Sequence, residues 1–178
     1  MTRGFKVVKA YQGKDVKIPS RATKNAAGYD FESAADFTLP SIWKMDFIKI
    51  LRTIRKEQPF SDGDAEKAKK ILKPFLIPTG IKAYMAPNEV LILANRSSGP
   101  LKHGTILPNG IGVIDADYYD NESNEGEIFI QLINFGLFDR HIKKGERIGQ
   151  GIFLNYLVAD DEVSASSVRT GGFGSSDK

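Results

Sequence analysis

The stretch FLIPTGIKAYMAPNEVLILAN, residues 75–95, decides the fold class. Its apolar, β-branched and aromatic runs have strand length, and Pro78-Thr79-Gly80 and Ala86-Pro87-Asn88 cut them with turn chemistry. Strand structure is therefore expected over Phe75–Met85 and Val90–Asn95. Outward from there the same texture continues. Phe5–Tyr11, Tyr29–Phe37, Gly110–Ile114, Ile128–Phe135 and Ile148–Leu157 are further strand-like runs, and Pro108-Asn109-Gly110 is a further turn. Many short strands at close intervals predict an all-β sandwich, jelly roll or barrel.

One segment breaks the pattern. From Ser41 to Arg55, apolar Trp43, Phe47, Ile50, Leu51 and Ile54 recur at helical spacing, with Lys44, Asp46, Lys49 and Arg52 between them. A second helix is expected over Asp64–Lys73, capped by Asp62 or Asp64 and ended by Pro74. The chain thus reads as a single β domain over residues 1–163 with a helical insert at 41–75. A Gly/Ser-rich arm, residues 164–178, follows it and is too poor in apolar residues to hold a core.

Composition narrows the function. Among 178 residues 41% are hydrophobic and 26% charged, enough for a real core. With no cysteine, a disulfide framework, a thiol nucleophile and thiolate metal sites are excluded; with two histidines, a histidine-rich zinc site is not expected. No run is long and apolar enough for a spanning helix, and the N-terminus lacks a signal-peptide core, so a cytoplasmic protein is expected. The net charge of +3 is local: residues 41–75 hold nine basic and five acidic residues (+4), which leaves −1 for the remainder. Direct nucleic-acid binding is therefore not expected. No GxxxxGK[ST] loop and no Gly-x-Ser-x-Gly elbow occur.

Four polar clusters and the tail remain as candidates. Ala27-Gly28-Tyr29-Asp30 is the first. Arg96-Ser97-Ser98-Gly99 follows the apolar strand and offers a guanidinium, two hydroxyls and N–H groups suited to phosphate oxygens. Gly112-Val113-Ile114-Asp115-Ala116-Asp117-Tyr118 ends a strand in acids. If it stays extended, Asp115 and Asp117 share one face, and Asp115 can serve as a partly desolvated base beside Tyr118. The acids that follow, Asp120, Glu122, Glu125 and Glu127, read as water-facing. In Gly145-Glu146-Arg147-Ile148-Gly149-Gln150, Arg147 reads as the partner of a surface acid. Gln150 lies inside an apolar strand, where a carboxamide needs a partner or a ligand. In the tail, Arg169 and Phe173 stand alone among small residues, as an arm closing on a flat anionic ligand would require.

These four clusters, with Gly171-Gly172-Phe173-Gly174-Ser175-Ser176, resemble in order the five motifs of the trimeric dUTPase family. The resemblance implies a jelly-roll homotrimer that hydrolyses dUTP to dUMP and pyrophosphate with Mg²⁺. Its sites would lie between subunits, each closed by a neighbour's arm. By position, it makes Asp115 the general base for a water attacking the α-phosphorus, and Tyr118 the wall under the deoxyribose. Asn109, with the backbone of Val113 and Ile114, would read uracil; Arg96, Ser97 and Ser98 would hold phosphates, and Gln150 the α-phosphate region. Phe173 would stack on uracil, Gly174 would lend an unhindered N–H, and Arg169 and Ser175 would grip the γ-phosphate. The metal would ride on the triphosphate with no direct protein ligand, Asp30 touching its water shell at most. The sequence departs from the family pattern in a longer stretch between Asp30 and Arg96 and an extended loop after Tyr119. Gly99-Pro100-Leu101 follows the Arg-Ser pair in place of an apolar run, and Arg169 stands one residue nearer Gly171. Two alternatives remain open: a dCTP deaminase or bifunctional deaminase–dUTPase of the same fold, and a nucleotide-switched regulatory protein using a partner at residues 41–75.

Overall fold

The computed structural model describes residues 2–44, 47–55, 63, 66 and 73–160. Its strands are β1 (Gly4–Val7), β2 (Ser20–Arg21), β3 (Tyr29–Glu32), β4 (Phe37–Leu39), β5 (Phe75–Pro78), β6 (Ile81–Tyr84), β7 (Glu89–Ala94), β8 (Thr105–Ile106), β9 (Gly112–Asp115), β10 (Phe129–Asn134), β11 (Arg140–Ile142) and β12 (Arg147–Asn155). A helix, α1 (Phe47–Arg55), lies between β4 and β5. The strands pair antiparallel in four small sheets: β1–β6, β5–β10–β8, β11–β4 and β2–β3–β12–β7–β9. This is the all-β jelly-roll architecture the strand texture predicts.

The core collects the inward residues of these sheets. Phe31, Leu39, Ile77, Leu91, Ile128 and Ile130 are each 0% exposed, and Phe5, Tyr29, Phe31 and Phe153 meet ring to ring at 5.2–6.0 Å. β7 and β10 both alternate buried and half-buried positions along their length, as strands with one inner face must. β12 runs through the centre of its sheet, and Gly151 makes that possible. A Cβ there would come within 2.8 Å of the Phe31 ring and 3.0 Å of Leu91, so the core side chains lie directly on the backbone.

Two long apolar runs are broken by buried polar turns. Thr79, 0% exposed, donates from Oγ1 to the Ile128 carbonyl at 2.6 Å and accepts from Ile81 N, which separates β5 from β6. Ser33 donates to the Ala35 carbonyl at 2.6 Å and separates β3 from β4. The expected helix over Ser41–Arg55 begins later than its pattern suggests. Ser41 is fully buried and bound to Gly136 O and Asp139 Oδ1, so it belongs to the sheet, and only a short 3₁₀ turn, Ile42–Lys44, precedes α1. Trp43 is 39% exposed and holds the Phe135 carbonyl through its indole N–H at 2.9 Å. Leu51 and Ile54, expected on an inner face, are 44% and 55% exposed. The second expected helix, Asp64–Lys73, falls almost wholly outside the described residues. So does the arm with Arg169, Phe173, Gly174 and Ser175. No helix among the described residues is long and apolar enough to cross a membrane.

Candidate functional site

Three of the polar clusters converge on one end of the central sheet. Register places Asp30 of β3 opposite Gln150 of β12, and Gln150 opposite Ala94 of β7, so the three form one row across the strands. Asn95 and Arg96 follow directly. Arg96 Nε donates to Asp30 Oδ1 at 2.8 Å, and Arg147 approaches Asp30 Oδ2 at 3.2 Å. The Asp30 side chain is only 11% exposed, so two guanidiniums compensate one desolvated carboxylate and are themselves oriented by it. Gln150 Nε2 donates to the Asn95 carbonyl at 2.8 Å, which answers its need for a partner. Its oxygen lies over Gly28, where any Cβ would collide with it. The Ala-Gly-Tyr-Asp string is therefore a close-approach glycine followed by the acid that sets Arg96.

Around this row lies a cationic cleft lined by Arg96, Ser98, His103, Arg140, Glu146 and Arg147. Ser97 is exposed and Ser98 half-buried at the mouth of a short π-helical turn, Gly99–His103, and Gly99 N donates to Arg96 O at 2.9 Å. Arg140 is paired with Glu146. The His103 pKa lies below the ordinary value, first through desolvation and then through the charge of Arg140, so its imidazole stays neutral at neutral pH.

Asp115 lies elsewhere. β9 pairs with β7 on the side away from β12, and Asp115 sits opposite Val90, four positions from Ala94 along β7. At ~3.4 Å per residue that separation is ~14 Å along the strand, before any crossing of the sheet. The hairpin before Asp115 turns through Leu107–Ile111, where Gly110 N donates to Leu107 O and Ile111 N to Asn109 O. It is tied at its base by Leu107 N to Asn95 Oδ1 at 3.0 Å. Asn109 is exposed at the tip, Val113 is 54% exposed and Ile114 is buried. The strand ends at Asp115, and Ala116–Tyr118 curl into a 3₁₀ turn. Period-two alternation thus stops before Asp117, and the shared face expected for the two aspartates does not form. Tyr118 is 3% exposed within the core cluster and donates its hydroxyl to the Glu127 carbonyl at 2.9 Å.

Of the acids after Tyr119, Glu122 is exposed as expected, but the other three have partners in the chain. Asp120 and Glu125 both pair with Lys82, which is 7% exposed, and Lys82 also lies 5.1 Å from the Tyr119 ring centre. Glu127 accepts from Gly80 N at 3.1 Å, and burial raises its pKa. The lysine that organises them is 38 and 43 positions away in sequence, which is why the charge run alone did not disclose the pairing.

The family model for dUTPase matches residues 66–177. The deoxyuridine 5'-triphosphate nucleotidohydrolase of Lactococcus lactis subsp. lactis (strain IL1403) is 42% identical over 174 residues, 97% of this chain and 96% of that protein. The chain belongs to the dUTPase family. The crystal structure of dUTPase from Streptococcus mutans matches with a TM-score of 0.68 at 35% identity, covering 88% of this chain and 98% of that one. The dUTPase from phage phi11 of S. aureus, at 15% identity, shares the fold, with a TM-score of 0.62 over 94% of this chain and 97% of that one. Within this dUTPase fold, sequence reasoning missed Asn95, which joins Gln150 to the hairpin base through its carbonyl and side chain. It also took Arg147 for a surface partner, whereas its acid, Asp30, is nearly buried. The signal available for Asn95 was its place between an apolar strand and Arg96. His103 and Arg140 carried no signal until the fold brought them to the cleft.

Proposed function

We propose that this dUTPase hydrolyses dUTP to dUMP and pyrophosphate, limiting uracil incorporation into DNA and supplying dUMP for dTMP synthesis. It would act in the cytoplasm as a homotrimer with sites shared between chains. The register of β7 carries this reading. In-line attack needs a base, its water and the phosphorus within a few ångströms of one another. Asp115, opposite Val90, and Gln150, opposite Ala94, cannot meet that demand within one chain. A neighbouring copy that brings its Arg96–Gln150 end to this chain's Asp115 satisfies it.

In that arrangement Asp115 takes the proton of the water attacking the α-phosphorus. Tyr118 backs the deoxyribose, and Asn109 with the Val113 and Ile114 backbone reads uracil. Arg96, Ser97 and Ser98 of the adjacent chain hold the phosphates, and Gln150 the α-phosphate region. From the arm, Phe173 stacks on the base, Gly174 offers its N–H, and Arg169 and Ser175 take the γ-phosphate. Phosphoryl transfer asks mainly for position and charge neutralisation, so these groups suffice without a covalent nucleophile.

Among the described residues no group of three or more His, Asp or Glu is arranged to hold a metal. Beside the cationic cleft, however, the buried Asp30 Oδ2 accepts no hydrogen bond and faces Arg147 at 3.2 Å, so it would be open to a metal-bound water where Arg147 turned to the phosphates. These donors fit a Mg²⁺ ion held by the triphosphate, where it would neutralise charge on the leaving pyrophosphate.

The test is pyrophosphate release with Mg²⁺ from dUTP, dCTP, dTTP and UTP in parallel, with ammonia followed for dCTP. Release from dUTP alone is expected. Ammonia from dCTP would replace the reading with a deaminase. A second role, a nucleotide-switched protein with a partner at residues 41–75, is favoured by the exposure of Ile48, Leu51 and Ile54 on α1. Deleting residues 47–73, which keeps the buried Ser41 in the sheet, should then abolish partner capture and spare hydrolysis; collapse of the trimer would end that reading.

A further inference from the structure

The extended loop after Tyr119 folds back onto Tyr118 and grips it at both ends. At the backbone, Asn121 Nδ2 donates to Tyr118 O at 2.9 Å. At the ring tip, Asn124 Nδ2 donates to Tyr118 Oη at 2.7 Å while that hydroxyl donates to Glu127 O at 2.9 Å. The orientation of the Asn124 amide is dictated by its surroundings. Its Oδ1 accepts from Gly126 N at 3.1 Å and Asn121 Nδ2 at 2.9 Å, so the nitrogen must face the phenol. The loop is in turn strapped to the barrel. Lys82 pairs with Asp120 and Glu125, Lys9 N donates to Glu125 at 3.0 Å, and Gly80 N donates to Glu127 at 3.1 Å.

We infer that Asn124 is a positioning residue for Tyr118 and sets how sharply the site rejects a 2′-hydroxyl. The inference rests on the reading above, in which Tyr118 backs the deoxyribose. A ring held only by apolar packing can tilt about its Cβ, and a small tilt at the sugar-facing edge opens room for one oxygen. A hydroxyl fixed by one donor and one acceptor resists that tilt, because moving it gives up both short bonds and leaves Asn124 Nδ2 and Glu127 O with their own longer contact at 3.2 Å. The grip lies three residues from Asp115 in a rigid turn, so it bears on the sugar pocket with little leverage on the base itself.

The measurement is kcat and KM for dUTP and UTP in Asn124→Asp, Asn124→Ala and Tyr118→Phe, with Glu122→Ala as a control at an exposed position of the same loop. Asn124→Asp keeps the shape and loses the donor. We expect its preference for dUTP over UTP to fall about tenfold, chiefly through KM, with kcat for dUTP within about threefold of the unaltered protein. Tyr118→Phe, which alters the wall itself, should lower the same dUTP-over-UTP ratio, and the double variant should lower it no further than either single one. A dUTP-over-UTP ratio unchanged in both Asn124 variants, in a protein that hydrolyses dUTP, overturns the inference and leaves the function standing. Failure of the unaltered protein to hydrolyse dUTP overturns both. If the Asn124 variants do not fold, Tyr118→Phe, which keeps the ring's packing, decides the matter by the same ratio.

Discussion

Asp115 stands at the last position of β9, half-buried and paired with Val90, where the chain leaves the sheet for a 3₁₀ turn. That placement holds the carboxylate on rigid backbone at a strand end, which suits a base that must meet one water in one direction. Asp115→Asn should leave dUTP affinity within about threefold while kcat falls by about 10³, because the water loses its proton acceptor. Equilibrium binding and single-turnover rates on the same preparation check it. On the phosphate side, Gly28 matters through its missing Cβ. Gly28→Ala pushes the Gln150 carboxamide off the Asn95 carbonyl. We expect KM for dUTP to rise about tenfold with a smaller change in kcat, since one ground-state contact is displaced; steady-state kinetics beside Gln150→Ala, which should match it, are the check.

Among the elements, the 119–127 loop is anchored by groups whose titration bears on stability. The Glu125 pKa is depressed, first by its hydrogen bond to Lys82 and then by the Lys9 N–H. A depressed carboxylate contributes stability above its ordinary value of 4.5, and that contribution is lost as pH falls through the lower folded value. The Lys82 pKa is raised: desolvation pulls it down, but its bonds to Asp120 and Glu125 outweigh that. A raised lysine contributes stability below its ordinary 10.5, lost as pH climbs through the higher folded value. The anchor is therefore intact between those two limits. Lys82→Met should lower the Tm by about 5 °C at neutral pH and flatten the fall in Tm on acidification below 4.5 relative to the unaltered protein. Melting curves from pH 3 to 8, a range of about five units spanning the carboxylate titration, test both statements.

For the whole molecule, the proposed roles of Asp115, Gln150 and Arg96, set beside their separation across β7, predict an activity that depends on contacts between copies. Asp115→Asn and Arg96→Gln, each inactive alone, should regain activity when mixed and allowed to exchange subunits. With random assortment and sites built from two chains, about a quarter of the sites receive both intact groups. Titration of pyrophosphate release against mixing ratio measures this, and no recovery after demonstrated exchange would place each site within one chain.

Much of the molecule was legible before folding. The runs FLIP, EVLILA and IFIQLIN announced β5, β7 and β10, because β-branched and apolar residues bounded by Pro, Gly and Asn leave the chain few other options. The polar strings at 27–30, 96–99, 112–118 and 145–150 carried the resemblance to the family and marked the candidate site, since the types and order of their side chains can be read without a fold. Strands of two or three residues, β2, β8 and β11, left no pattern, because their formation depends on a partner already in place. The pairing of Asp30 with Arg96 and Arg147, the grip of Asn124 on Tyr118 and the burial of Lys82 against two acids were likewise invisible. Local sequence determined which groups this protein has and which short elements present them. Only the tertiary structure decided which groups meet, because strand register and long-range packing bring together residues that no local preference relates.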